Sequence, residues 1–271
     1  MTVLVTGGTG LVGSRLLKRF VDAGIATRAL VRPGKDLAEG VTGIEGDILS
    51  PETLAAAVDG VTDVIHLAAL FRTQDEAEVW RVNLEGTRNL IAAVKEHNPD
   101  ARFIMASTSN VYGSGLSHPG KEDDEVTASQ AYPASKIAAE KELRNSGLNW
   151  SIVRFPFVYG DKDGHLETIP QFAASMKWHP AKRMSVIHHE DIATALKLAL
   201  DGAMDGQTVN IADESPLTIY EIFQVLGETF ESSSEPLQDP WAGHVDVSFA
   251  RSIGFQPKIA TIYQAKRDGK L

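Results

Sequence analysis

The sequence predicts an α/β protein: a doubly wound parallel sheet with a small C-terminal lobe. Short apolar runs alternate with longer segments of helical periodicity, the pattern of βαβ units. A glycine cluster joins the first apolar run to the first helical segment. Beyond Tyr159 and Gly160 the alternation loosens, and Gly164, Pro170 and Pro180 interrupt it. These breaks assign 1–160 and 186–212 to the sheet domain and 161–185 and 213–271 to the lobe.

Strands are expected at 3–6, 27–31, 43–46, 64–68, 103–107, 151–154 and 208–211, each short enough to be buried on both faces. Helices are expected to begin near Gly13, Pro51, Val79, Tyr132 and Asp191. The segment from Val79 to Lys95 sets Val82, Leu84, Leu90, Ile91 and Val94 among charged residues, which is a helix with one buried stripe. A chain of 271 residues, 43% of them hydrophobic, buries a sizeable core without crosslinks.

Composition excludes several function classes. The formal charge of −10 disfavours a nucleic-acid or anionic-membrane surface, and no local basic patch offsets it. There is no cysteine, which rules out thiol catalysis, disulfides and cysteine-bound zinc, so a cytoplasmic address is expected. The opening MTVLVTGG passes directly into a strand-like run, with neither an export signal nor an apolar span of about 18 residues.

The glycine cluster is TGGTGLVG, residues 6–13, with Gly7, Gly10 and Gly13 spaced by three. Glycine permits a tight turn and a close backbone approach to a pyrophosphate, and the amides opening the helix stabilise its charge. Gly7, Thr9, Gly10, Leu11 and Val12 are therefore the candidate phosphate contacts; the alternative is an ordinary strand-to-helix turn. Tyr132 and Lys136, in YPASK, lie one helical turn apart on the same face. An ammonium there would pull the phenol down from about 10, fitting it for proton transfer with a carbonyl or alcohol. A surface Tyr-Lys pair is the alternative. The hydroxyl cluster Ser107, Thr108 and Ser109 ends the fifth strand, where open α/β sheets bind ligands, and can polarise the same oxygen.

TGGTGLVG, DVIHLAA (63–69), VNLEGTRNL (82–90), ASTSNVYG (106–113), YPASK and RFPFVYG (154–160) occur in the order found in extended short-chain dehydrogenase/reductases, and the chain resembles that family. The match is close over about the first 160 residues and thinner through HHEDIATA, TVNIA and ARSIGFQP. The run from VRPGKDLAEG to VIHLAAL is most similar to the dihydroflavonol-reductase and aldehyde-reductase branch.

This resemblance implies a Rossmann nucleotide-binding domain and hydride chemistry on a nicotinamide. Tyr132 would be the general acid/base, Lys136 would hold the nicotinamide ribose and tune the tyrosine, and Thr108 would be the second hydroxyl, with Ser107 and Ser109 as runners-up. Asn83 matches an asparagine that organises a helix kink and a water relay in some relatives and is structural in others. Asp47 would accept from the adenine amino group with Ile48 packed beside it, although a turn-forming aspartate is the competing explanation. Leu67, Ala68 and Ala69 would let the ribose approach; Phe155, Pro156 and Val158 would surround the nicotinamide ring. The helices from Val79 and Tyr132 resemble those that pair across a homodimer in the family.

The end of the second strand predicts the cofactor. A carboxylate at the Val31 position would bind both ribose hydroxyls of NAD and repel the extra phosphate of NADP. Val31 offers no such group, and Arg32 follows it, a guanidinium suited to a 2′-phosphate, with Lys35 and either Arg28 or Arg15 adding charge. NADP(H) is expected in preference to NAD. Exchangeable NADPH suits a reductase, whereas sugar-nucleotide epimerases and dehydratases of the family recycle a tightly held NAD. Phe157 stands where such enzymes carry asparagine, and Met184 is apolar near their arginine, with Lys182 and Arg183 off register. The expected reaction is NADPH-dependent reduction of a small-molecule carbonyl, or the reverse oxidation of an alcohol. The rivals are a nucleotide-sugar epimerase or dehydratase and a non-catalytic sensor.

Substrate contacts are assigned to Phe71, Thr108, Ser109 and Phe157, with Arg72, Trp178 and His179 as weaker candidates, each alternatively packing or surface. His165, His188 and His189 raise the question of metal, but no acidic cluster accompanies them and no metal is predicted.

Overall fold

The structure is a computed structural model describing residues 1–71 and 73–271. In chain order its first half comprises β1 (Thr2–Thr6), α1 (Leu11–Asp22), β2 (Ala26–Val31), β3 (Thr42–Glu45), a 3-10 turn with α2 (Ala55–Val58), β4 (Asp63–His66), α3 (Glu76–Trp80), α4 (Gly86–His97) and β5 (Arg102–Thr108). There follow α5 (Ala131–Arg144), β6 (Trp150–Phe155), β7 (Phe157–Tyr159), α6 (Ile169–Ser175), β8 (Arg183–Met184), β9 (Val186–His188), α7 (His189–Leu200) and β10 (Gln207–Asn210). The chain closes with β11 (Leu217–Thr218), α8 (Ile219–Leu226), α9 (Ser248–Ser252) and α10 (Ile262–Arg267).

Seven strands form one parallel sheet in the order β10-β6-β5-β4-β1-β2-β3. All seven expected strands are present in it, displaced by one or two residues at their ends. Alternate residues of each strand face opposite layers, so the strands read as continuous apolar runs. Val3, Val5, Ala29, Ile65, Ile104 and Val153 pack with Leu16, Leu17 and Phe20 of α1 and Ile192 and Leu196 of α7. Their neighbours Leu4, Leu30, Val64, Phe103, Met105 and Ile152 pack with Leu54, Leu90, Val94, Ala139 and Leu143 on the other face. A third cluster, built on Tyr159, Leu166, Ile169, Val186, Leu217, Ile222 and Ile262, forms the core of the C-terminal part. No helix among the described residues is long and apolar enough to cross a membrane.

Two departures from the sequence expectation bear on the site. β4 ends at His66 because the amide of Ala68 turns to the Thr6 hydroxyl, 3.3 Å away, and leaves the ladder. The helix expected from Val79 starts at Glu76, where the Asp75 carboxylate accepts the Glu78 amide at 3.0 Å, and it is not uniformly α. Residues Arg81–Glu85 form a π-helical turn between α3 and α4. That turn rotates Asn83 fully inward, an offset a 3.6-residue pattern does not encode.

At the opposite end of the sheet Arg102 joins three elements. It donates to Asp63 at 2.8 Å, to Asp205 at 2.7 and 3.1 Å, and to the Leu200 carbonyl at 2.9 Å. Removing Arg102 leaves the nearly inaccessible Asp63 carboxylate without its cation and with the Thr62 hydroxyl, 2.7 Å away, as its remaining side-chain donor. Arg102→Met is expected to lower the unfolding free energy by about 3 kcal/mol in urea titrations, with cofactor affinity unchanged because the site is at the far end of the strands.

Candidate active site

The carboxyl ends of β1, β4, β5 and β6 converge, with Thr6 level with His66 and Thr108 level with Phe155. Between β1 and α1 the chain turns through Gly7, at φ +72°. A Cβ at Gly7 would stand 2.7 Å from the amide nitrogen of Ala68, and one at Gly13 would overlap the Gly7 carbonyl. The turn is closed by a 3.0 Å bond from Gly10 N to Gly7 O. No side chain caps α1 and no acid lies in its first turn, so its leading amides are left for an anion. Thr9, Gly10 and Leu11 are exposed and Val12 half-buried.

Val31 is half-buried at the end of β2, with Arg32 and Lys35 exposed beside it. The other cations named for that position are committed elsewhere. Arg28 donates to the carbonyls of Ala57 and Asp59 at 3.2 and 2.7 Å, and Arg15 bonds the carbonyls of Leu11 and Asp161 at 3.0 and 3.3 Å. Asp47 does form a turn, its Oδ1 accepting the Leu49 amide at 2.9 Å. Ile48 is buried in the core against Gly86, where a Cβ would come within 2.6 Å of it.

Behind the glycine turn runs a chain of hydrogen bonds that sequence reasoning missed. Thr6 Oγ1 lies 2.7 Å from His66 Nδ1, His66 Nε2 lies 2.9 Å from Thr87 Oγ1, and Thr87 donates to the Asn83 carbonyl at 2.6 Å. Because Thr87 spends its proton on Asn83, His66 must carry its hydrogen on Nε2 and accept from Thr6 through Nδ1. The signal was a histidine within an apolar strand, inside a motif already singled out. Burial, reinforced by the nearby Lys136 ammonium, lowers His66 to about 3. Asn83 extends the chain: its amide group brackets Leu70, accepting its N–H at 2.7 Å and donating to its carbonyl at 3.0 Å. It also donates to Ser135 at 3.1 Å, which bonds the Tyr132 carbonyl at 2.7 Å.

Tyr132 and Lys136 lie in α5, and Tyr132 is half-buried with its phenol in hydrogen-bonding reach of Thr108. Burial pushes the phenol up to about 12, opposed by the Thr108 hydroxyl, so the downward shift expected from Lys136 does not occur in the chain alone. Lys136 is 2% exposed and burial lowers it to about 8, against the pull of Glu140; its ammonium finds no hydrogen-bond acceptor among the described residues. Of the three neighbouring hydroxyls, Ser107 donates to Glu140 at 2.5 Å and is thereby spent, Thr108 also accepts the Asn110 amide at 3.1 Å, and Ser109 is 7% exposed in the following turn.

The Phe71 ring meets that of Tyr132, centroids 4.5 Å apart. Phe157 stacks on His165 at 4.1 Å, and that imidazole also contacts the Val158 carbonyl at 2.7 Å. Phe155 and Pro156 are buried, Val158, Leu67 and Ala68 half-buried, and Ala69 exposed. Arg72 lies outside the described residues. His179 accepts the Ala181 amide at 3.1 Å and reaches the Glu235 carbonyl at 3.0 Å, a turn-forming arrangement, and the Trp178 amide bonds Ala173 at 2.9 Å. His188 caps α7 through the Glu190 amide and contacts the Lys270 carbonyl at 2.9 Å, while His189 pairs with Asp163 at 2.7 Å.

The glycine cradle and an ammonium lacking an acceptor fit a dinucleotide that brings a pyrophosphate and a ribose. Comparison with known proteins decides the family: a profile of the NAD dependent epimerase/dehydratase family matches residues 3–212. The chain belongs to the NAD dependent epimerase/dehydratase family. This extended short-chain dehydrogenase/reductase is 28% identical over 280 residues to a 4-hydroxy-2-methyl-3-oxo-4-farnesyl-3,4-dihydroquinoline-1-oxide ketoreductase of Stigmatella aurantiaca, covering 93% of this chain and 82% of the relative. It is 26% identical to a UDP-N-acetyl-alpha-D-glucosaminuronate decarboxylase of Bacillus cytotoxicus, over 88% of this chain and 83% of that one. Its fold matches the crystal structure of a short-chain dehydrogenase/reductase superfamily protein from Agrobacterium tumefaciens with bound NAD, at TM-score 0.81 and 21% identity, covering 99% and 95% of the two chains. Family membership makes the chain an enzyme of the NAD(P)-dependent type.

The buried imidazole of this family member generates a stability prediction. With its folded value lowered from 6.5 to about 3, neutral His66 contributes stability above 6.5 that is lost as pH falls toward 3, since the unfolded chain takes up the proton first. Calorimetry should show the melting-temperature gap between wild type and His66→Gln narrowing over that interval. A gap independent of pH would show that the imidazole is not held neutral.

Proposed function

We propose that this enzyme is an NADPH-dependent reductase of a small-molecule carbonyl, acting in reverse on a secondary alcohol. The observation that carries the reading is the Tyr132 phenol set beside Thr108, one helical turn from the buried ammonium of Lys136. A phenol pushed up to about 12 keeps its proton at neutral pH, the state required to protonate a carbonyl oxygen. A bound nicotinamide supplies the hydride. Tyr132 delivers the proton, Thr108 holds the same oxygen, and Lys136 binds the ribose hydroxyls through the hydrogen bonds it does not make within the fold. Phe71 covers the Tyr132 ring and, with Phe157 and Ser109, offers the substrate wall. Leu67, Ala68, Ala69, Phe155, Pro156 and Val158 border the nicotinamide and its ribose, and Gly7, Thr9, Gly10, Leu11 and Val12 cradle the pyrophosphate. The lobe of 161–185 and 213–271 supplies the rest of the substrate site. The working form is a cytoplasmic homodimer.

NADP is preferred because β2 ends without a carboxylate and Arg32 and Lys35 project beside that end, while Asp47 keeps Oδ2 for the adenine amino group. Similarity to a UDP-sugar decarboxylase supports a second reading, sugar-nucleotide chemistry on bound NAD. Against it, Lys182 already directs one N–H to the Ala242 carbonyl at 3.2 Å, and Phe157 stacks on His165 where such substrates meet a polar side chain. Similarity to a ketoreductase favours the first.

Tyr132→Phe is expected to lower kcat by about a thousandfold while NADPH binding, read by nicotinamide fluorescence, is unchanged. Full activity in that variant would refute the assignment. Arg32→Ala should raise KM for NADPH by about tenfold and leave KM for NADH unaltered; equal effects on both would place the 2′-phosphate elsewhere.

A further inference from the structure

Glu140 lies one turn beyond Lys136 on the same face of α5, and both are fully buried. Its Oε1 accepts from Ser107 at 2.5 Å and from Arg154 Nε at 3.0 Å; its Oε2 accepts from Arg154 Nη2 at 2.7 Å and Arg144 Nη2 at 2.8 Å. Every strong acceptor direction is therefore used, and Lys136 feels the carboxylate through space. Arg154, 1% exposed, is anchored further by a 2.9 Å bond to Tyr112, itself bonded to Asn210 at 2.8 Å. A guanidinium does not give up its proton in a protein, so the ammonium of Lys136 is the only one of these cations free to neutralise.

Among the described residues, Glu140 is the one carboxylate whose charge is registered at Lys136. His66 of β4, which lies within the field of the Lys136 ammonium, is held neutral between its two threonine partners. β6 presents Arg154. The π turn presents the Asn83 amide, and Arg88 of α4 is paired at the surface with Glu142 at 2.6 Å. On α5 itself Tyr132 lies one turn before Lys136, and Arg144 is bound to Glu140.

We propose that Glu140 is the buried counter-charge that keeps Lys136 an ammonium, and is thereby a positioning residue for the reaction proposed above. It neutralises Arg154 and Arg144, whose unscreened field would otherwise drive the proton off Lys136 in a low-dielectric site. The proposal rests on the catalytic reading only for its consequence, because the protonation state is measurable without turnover.

The test is 13Cε-lysine NMR of the full chain, titrated with and without NADPH, with Lys136→Arg identifying the resonance. Wild type is expected to titrate near 8. Glu140→Gln, which keeps size and loses charge, should titrate at least about one pH unit lower, a tenfold loss in the ammonium-to-amine ratio. Ser107→Ala removes a hydrogen bond to the same carboxylate and keeps its charge; it should stay within about 0.3 unit of wild type. A Glu140→Gln titration indistinguishable from wild type overturns the proposal. If circular dichroism shows Glu140→Gln unfolded, Arg144→Met decides: freeing Glu140 of one half-exposed cation should raise the Lys136 value, and no rise overturns the proposal. Failure of the catalytic reading would show separately, as an undiminished rate in Tyr132→Phe.

Discussion

The structure depends on one close approach of backbone to backbone. The turn after β1 passes so near the end of β4 that Gly7 has no room for a Cβ, and the start of α1 presses on the same turn at Gly13. This contact sets the height of the leading α1 amides above the sheet. It also draws Ala68 onto the Thr6 hydroxyl and so ends β4. Everything downstream of β4, including the loop carrying Phe71, takes its starting direction from that point.

A second layer of order is polar and hidden. Thr6, His66, Thr87 and Asn83 form a one-way series of donors and acceptors from the glycine turn to the helix beside Tyr132. Such a series tolerates a single tautomer and no extra proton. The two ends of the cofactor would therefore be registered by hydrogen bonds within the protein.

Much of this was legible in the sequence. The seven strands followed from apolar runs, because parallel strands buried on both faces need no other signal. The tight turn after β1 followed from glycine spacing, and the placing of Tyr132 and Lys136 on one helix from their one-turn separation. What escaped was set by distant partners: His66 meets Thr6 across 60 residues, and Ser107 meets Glu140 across 33. No local pattern announces that Arg28 will cap the end of α2 instead of facing a phosphate, or that Ser107 will be spent on a carboxylate while Thr108 reaches the phenol. The π turn was invisible for a related reason, since one extra residue in a helix alters neither composition nor overall apolar content.

That turn carries a lesson for engineering and for alignment. The extra residue advances everything after it by about 100° around the axis, so α3 and α4 present faces that no single helical wheel describes. Deleting a residue between Arg81 and Glu85 would yield a smoother helix and a broken enzyme, with Asn83 swung off Leu70 and Ser135. Chimeras that graft this region from a relative must import the irregularity intact, and a gap placed a few positions away would exchange inner for outer side chains along the whole of α4.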